Sequence, residues 1–160
     1  MDERDVRLLK AIADLGTGSP EALNRETDIP VSTIHYRLNN LREAGVITND
    51  LYDFDHEALG LGITIIVEVL ADYDGPYEEF AAELLNVEGV TEAYFTMGET
   101  DFVVIARLSS SDTVERLISE FEEIEGVERT NSTFTIATLR DEPRAPATYE
   151  TETLIEELTD

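Results

Sequence analysis

The chain has 160 residues, of which 36 are Asp or Glu and 11 are Lys or Arg, giving a formal net charge of −25. Hydrophobic residues make up 42%, enough for a packed core, which argues against disorder despite the charge. There is no cysteine, which excludes disulfides, thiolate metal sites and thiol nucleophiles.

The charge is unevenly spread. Residues 1–50 hold six cations and nine acids, a net of −3, and the remaining residues carry −22. From Ile29 to Arg42 there is no Asp or Glu at all. An acidic surface of this kind suits a cytosol of concentrated salt, where self-repulsion is screened within a few Å, so a salt-adapted source is expected. The start, MDERDVRLLK, is charged and lacks an apolar signal region. The apolar run near Leu61 to Ala71 contains Thr64 and Glu68 and is too short for a bilayer span. A cytoplasmic protein without a membrane partner is expected.

Along the chain, residues 1–47 predict three helices. Asp2 caps the first, with Asp5 three residues on and a stripe of Val6, Leu9, Ile12 and Ala13. Ser19, Pro20 and Glu21 open the second, which ends near Thr27-Asp28. Ile29 precedes Pro30 and is therefore extended, and a third helix starts at about Val31 and is ended by Gly45. Its stripe is Val31, Ile34, Leu38 and Leu41. At 100° per residue, Ser32, Thr33, Tyr36, Asn39 and Asn40 point away from that stripe, flanked by His35 and Arg37. Two such helices joined by a tight turn predict a helix-turn-helix, and an acid-free polar face with Arg42 near its end suits entry into a DNA major groove.

Residues 48–61 mix turn formers with Leu51, Tyr52 and Phe54 and are expected to form a linker strand. From residue 62 the pattern changes to strand (62–70), helix around Tyr77, Phe80, Ala81, Leu84 and Leu85, strand (87–97), strand (101–109), helix around Val114, Leu117, Ile118 and Phe121, and strand (127–139). Val87-Glu88-Gly89-Val90 recurs as Ile124-Glu125-Gly126-Val127 at an offset of 37. Two strand-helix-strand halves predict a ferredoxin-like βαββαβ sandwich over 62–140, with helices on one sheet face and a second subunit on the other. Residues 141–160 are Pro-broken and acidic; a short helix at 153–158 is possible, but a solvated tail is the expectation.

Chemistry for catalysis or metal binding is missing. His35 and His56 lie 21 residues apart in different segments, His56 in an exposed linker, and no G-x-S-x-G, Walker or dinucleotide fingerprint occurs. No enzyme and no cofactor are expected. The leading reading is a DNA-binding regulator; the alternative is a metabolite-sensing interaction protein that does not bind DNA.

The order of these parts resembles the Lrp/AsnC, or feast/famine, family of transcription regulators. Asp2-Glu3-Arg4-Asp5 is similar to the family's Leu-Asp-x-x-Asp opening. Thr33-Ile34-His35-Tyr36-Arg37-Leu38-Asn39-Asn40-Leu41 followed by Gly45-Val46-Ile47 is similar to its recognition helix, Thr-Val-x-x-Arg-Ile-x-x-Leu and Gly-Val-Ile. Gly98 and Asp101 match its Gly-x-x-Asp loop. The chain departs at Asp28, Pro30 and Asn24, where the family usually has Gly, Ser and Ala. The resemblance implies an α+β chain with a winged-helix-like helix-turn-helix domain joined to a ferredoxin-like RAM domain. It implies double-stranded DNA as partner, contacted by Ser32, Thr33, His35, Tyr36, Arg37, Asn39, Asn40 and Arg42. It also implies an amino-acid or similar effector held by Met97, Gly98, Glu99, Thr100 and Asp101 with Thr130 and Ser132, in a homodimer or a ring of dimers such as an octamer.

Overall fold

A computed structural model describes residues 1–50 and 53–159, which divide into two compact units: Met1–Tyr52 with Leu139–Asp160, and Asp53–Thr138. Leu51 and Tyr52 of the expected linker lie outside the described residues.

The first unit begins with α1 (Glu3–Leu15), α2 (Pro20–Thr27) and α3 (Val31–Glu43). Asp2 and Asp5 form a reciprocal cap on α1: the Asp5 N–H donates to Asp2 Oδ1 at 3.0 Å and the Asp2 N–H to Asp5 Oδ2 at 3.1 Å. Ser19 caps α2 through the Ala22 N–H, with Pro20 at the first helical position. The turn into α3 explains the three departures. Asp28 takes the left-handed conformation (φ 57°) that glycine would occupy more cheaply, and its N–H donates to Asn24 O. The Asn24 amide, bulkier than alanine, donates to the Ile29 carbonyl at 2.8 Å and so closes the turn from within. Pro30 is extended and leaves α3 without a side-chain cap. Leu8, Ala11, Leu23, Ile29, Ile34 and Leu38 form the core, with Ile12 and Ile47 at its margin.

Two expectations for this unit are corrected. The buried residues of α1 are Val6, Leu8, Ala11 and Ala13, while Leu9 and Ile12 are only half-buried. Leu8 and Ala11 face α2 and α3 in the core, and α1 is covered by a further segment as well. The described part of the expected solvated tail is packed: a 3-10 turn (Ala145–Thr148) and a helix α6 (Thr151–Leu158) lie on α1, and Leu154 is 6% exposed. The acids of α6, Glu152, Glu156 and Glu157, are exposed, so an acidic composition masked an amphipathic helix.

The second unit contains β1 (Ile63–Ala71), α4 (Tyr77–Leu85), β2 (Val90–Phe95), β3 (Phe102–Leu108), α5 (Ser111–Glu123) and β4 (Val127–Phe134). The sheet is antiparallel in the order β2-β3-β1-β4, the ferredoxin-like arrangement. Ile65, Val67, Val69, Phe102, Val104, Ala106 and Leu108 alternate onto one face and pack with Phe80 and Leu84 of α4 and Val114, Leu117 and Phe121 of α5. The internal repeat has a steric cause. Gly89 and Gly126 both have φ near 95°, and a Cβ would stand 2.4 Å from Leu108 Cδ2 at the first and 2.8 Å from the Asp72 carbonyl at the second.

The strands end earlier than expected, β2 at Phe95 and β4 at Phe134, with Ile136 and Leu139 fully exposed beyond it. The described part of the linker is not a strand. The Asp55 carboxylate accepts from the Ala58 N–H at 3.0 Å and its carbonyl from the Leu59 N–H, which winds residues 55–61 into a turn. His56 is half-buried in that turn rather than exposed.

Candidate DNA-reading helix and effector loop

On α3 the buried stripe is Ile34, Leu38 and Leu41. Ser32, His35, Tyr36, Asn39, Asn40 and Arg42 are exposed, Tyr36 by 67%, and Thr33 is half-buried. From Ser32 to Asn40 the outward face therefore carries hydrogen-bonding groups and no acid; Arg42 and the exposed Glu43 close the helix.

The two arginines of the acid-free stretch are nevertheless met by acids from outside it. Arg37 does not flank the outward face as expected. Its Nη1 donates to Asp2 Oδ1 and Oδ2, both at 2.8 Å, and to Asp5 Oδ1 at 2.7 Å. The side chains of Arg37 and Asp5 are each 17% exposed, and Arg37 Nε is closed off from solvent without an acceptor. Burial opposes the charge on Arg37, but the hydrogen bonds to Asp5 and Asp2 outweigh it and raise its pKa. Partial burial pushes the Asp2 carboxyl up, and the Arg37 and Asp5 hydrogen bonds more than reverse this, leaving it below the ordinary carboxylate value. Arg42 remains at the surface, where its Nη2 donates to both Asp50 oxygens at 3.1 and 3.0 Å and its Nη1 to Asn39 Oδ1 at 3.3 Å. Sequence reasoning missed Asp50 altogether and read Asp2 and Asp5 as caps only; their second role depends on a contact more than thirty residues away.

In the other unit, the loop between β2 and β3 stands on an aromatic base. Phe95 and Phe102 at its two ends lie 5.3 Å apart between ring centroids, and Tyr77 stacks on Phe95 at 4.4 Å. Within it the Thr96 N–H donates to the Asp101 carbonyl, and the Thr96 hydroxyl to the Thr100 carbonyl at 2.7 Å. Met97, Gly98 and Glu99 are exposed at the tip, Met97 almost completely, and Thr100 is half-buried. Asp101 Oδ2 accepts the Ala71 N–H at 2.9 Å, where the pairing of β1 with β4 shifts register. One carboxylate oxygen of Asp101 thus has a structural task, which its position in the sequence did not reveal.

Thr130 and Ser132 sit opposite Val69 and Val67, so they share the helix-covered face of the sheet. Thr130 lines a cleft of about 330 Å³ with Glu122, Val127, Glu128 and Arg129, and no loop residue borders it. Loop and hydroxyls are therefore separated by β1 within one chain. Among the described residues no cluster of potential metal ligands occurs, and no helix is long and apolar enough to cross a membrane.

Comparison with known proteins follows the same division. Winged helix-turn-helix DNA-binding sequences match residues 1–48, and the Lrp/AsnC ligand binding domain matches residues 64–145. The HTH-type transcriptional regulator FL11 of Pyrococcus horikoshii is 32% identical over 148 residues, covering 91% of this chain and 96% of that protein. A crystal structure of a transcriptional regulator–L-Met complex from Neisseria meningitidis has a TM-score of 0.81 at 20% identity, over 90% of this chain and 95% of that one. A feast or famine regulatory protein from M. tuberculosis complexed with L-methionine has a TM-score of 0.76 at 25% identity, over 86% and 92%. Fold and site define a DNA-binding transcription regulator with a winged helix-turn-helix and a separate ligand-binding domain. The chain belongs to the Lrp/AsnC family.

Proposed function

We propose that this regulator reads specific double-stranded DNA with the outward face of α3 and that an amino acid or similar small metabolite controls the binding. The observation that carries this reading is the neutral, acid-free face of Ser32, Thr33, His35, Tyr36, Asn39 and Asn40, with Arg42 at its end, in a chain of net charge −25. Such side chains pair with base edges and sugar, and no carboxylate among them repels phosphate. A protein-docking helix has no need to exclude carboxylates, which disfavours a metabolite sensor that does not bind DNA.

The effector is assigned to the loop Met97, Gly98, Glu99, Thr100 and Asp101, with Thr130 and Ser132 supplied across a subunit contact. The second Asp101 oxygen is the partner for an α-ammonium group. Assembly as a homodimer, or a ring of dimers, is supported by the sheet face opposite α4 and α5, where the apolar Ile66, Leu70, Val103 and Ile105 are only half-buried. A non-catalytic, cytoplasmic protein from a salt-rich cell fits the acidic surface and the want of catalytic groups.

Selection of bound duplexes from a random library in KCl, repeated with pooled amino acids, tests the reading. A defined operator whose affinity shifts with one amino acid is expected. Asp101→Asn retains an acceptor for the Ala71 N–H and removes the charge, so it is expected to lose that response. Failure to enrich any duplex would favour the sensor without DNA.

A further inference from the structure

Resting on the reading of α3 as the DNA-reading helix, we propose that Arg37 is a positioning residue. It fixes α3 against the start of α1 through Asp2 and Asp5 and so governs DNA affinity without touching DNA. The need for such a device is visible in α3 itself. Pro30 gives the helix no side-chain cap, and its buried stripe of Ile34, Leu38 and Leu41 is apolar and supplies no directional bond. The outward groups are neutral hydrogen bonders, whose strength falls steeply with misalignment. A reader of that kind depends on orientation more than one that relies on charge.

The geometry answers that need. Three carboxylate oxygens lie 2.7–2.8 Å from one nitrogen of Arg37 and share its two hydrogens in charge-assisted bonds. Their acceptors are not loose side chains, since Asp2 and Asp5 are each tied to the other's backbone N–H by the cap of α1. The reading helix is therefore referenced to the end of a second helix. Arg37 and Asp5 are shielded enough for the contact to escape most screening by salt. The enclosed, acceptor-free Nε shows how far the guanidinium is committed to this one direction.

The test uses the full chain, a duplex selected by the unsubstituted protein, and fluorescence anisotropy across a range of KCl. Arg37→Gln and Asp5→Asn are each expected to lower specific-site affinity about tenfold, as for a lost charge-assisted bond. The double variant should be no worse than the poorer single within about threefold, because both break one contact. The salt slope and the affinity for random duplex should not change, and Arg37→Lys should recover part of the loss. The proposal is overturned if Arg37→Gln lowers the salt slope by about one while Asp5→Asn binds normally, the signature of a phosphate contact. It is equally overturned if the two losses add and preference relaxes at one base pair. Should Arg37→Gln lose its helical circular dichroism, Asp2→Asn and Asp5→Asn decide alone, and normal binding by both overturns it. If the unsubstituted chain selects no duplex, the DNA reading of α3 falls and the proposal with it, an outcome distinct from variants that bind like a binding parent.

Discussion

Truncating Leu154 to alanine tests the docking of the C-terminal helix on α1. The side chain is 6% exposed, and it is the buried anchor of an eight-residue helix. Removing it takes away most of the transfer free energy of a buried leucine, about 2 kcal/mol, at the low end for Leu→Ala because a peripheral helix can settle into the gap. A helix this short has no stability of its own in water, so the loss appears as undocking of α6 rather than as unfolding of the whole unit. Amide hydrogen exchange is the suitable assay. A change of about 2 kcal/mol raises the open population, and with it the exchange rate of the α6 amides, roughly thirtyfold. Exposed Glu156→Ala in the same helix should change exchange less than about threefold. Exchange of the α6 amides at the rate of free coil in the unsubstituted chain would refute the packed tail outright.

Three further outcomes are expected. Asp50→Asn releases Arg42 for phosphate, so DNA affinity should rise a few-fold and the slope of log affinity against log salt should steepen by about one; unchanged binding would show that the Arg42–Asp50 pair is inert. Gly126→Ala brings a Cβ against the Asp72 carbonyl at φ 96° and should cost more than about 1 kcal/mol in urea unfolding, whereas Gly18→Ala, with open space around it and an ordinary φ, should cost little. The Asp2 carboxyl is lowered in the folded state, so the stability it contributes is complete above its unfolded pKa of roughly 3.9 and is lost as pH falls through the folded value. Thermal unfolding of the parent should therefore converge on that of Asp2→Asn as pH falls below the ordinary carboxylate range, and a gap that stays constant through acid titration would contradict the Asp2–Arg37 bond.

What the sequence disclosed were features governed by local rules. The α1 cap at Asp2 and Asp5, the Ser19-Pro20 start of α2 and the start of α3 after Pro30 depend on neighbours within a few residues. The alternation of Ile65, Val67 and Val69 and the repeated Gly89 and Gly126 turns likewise exposed the βαββαβ unit. What it hid were contacts between distant segments. Leu8 and Ala11, outside the expected stripe, are buried against Leu23, Ile34 and Leu38 of α2 and α3, and a helix from the other end of the chain also packs on α1. Arg37 lies on the flank of α3, where 100° steps cannot distinguish an outward guanidinium from one drawn inward by Asp2 and Asp5. Asp101 carried its family position in a Gly-x-x-Asp loop, but its bond to the Ala71 N–H depends on a register shift in β1 that no local pattern announces.

The central claim is that α3 reads DNA through neutral groups held in place by an internal ion pair, with few phosphates neutralised. The affinity for a selected operator, measured across roughly 0.3–3 M KCl with the fold followed by circular dichroism, tests it most directly. Each neutralised phosphate contributes about −0.9 to the log–log slope, and with Arg37 turned inward and Arg42 paired to Asp50 the account predicts a slope shallower than about −3. Screening of the −22 that lies beyond residue 50 should flatten it further, even to a gain in affinity with salt. A slope on the order of −6 or steeper, as for six to ten phosphate contacts, would contradict it.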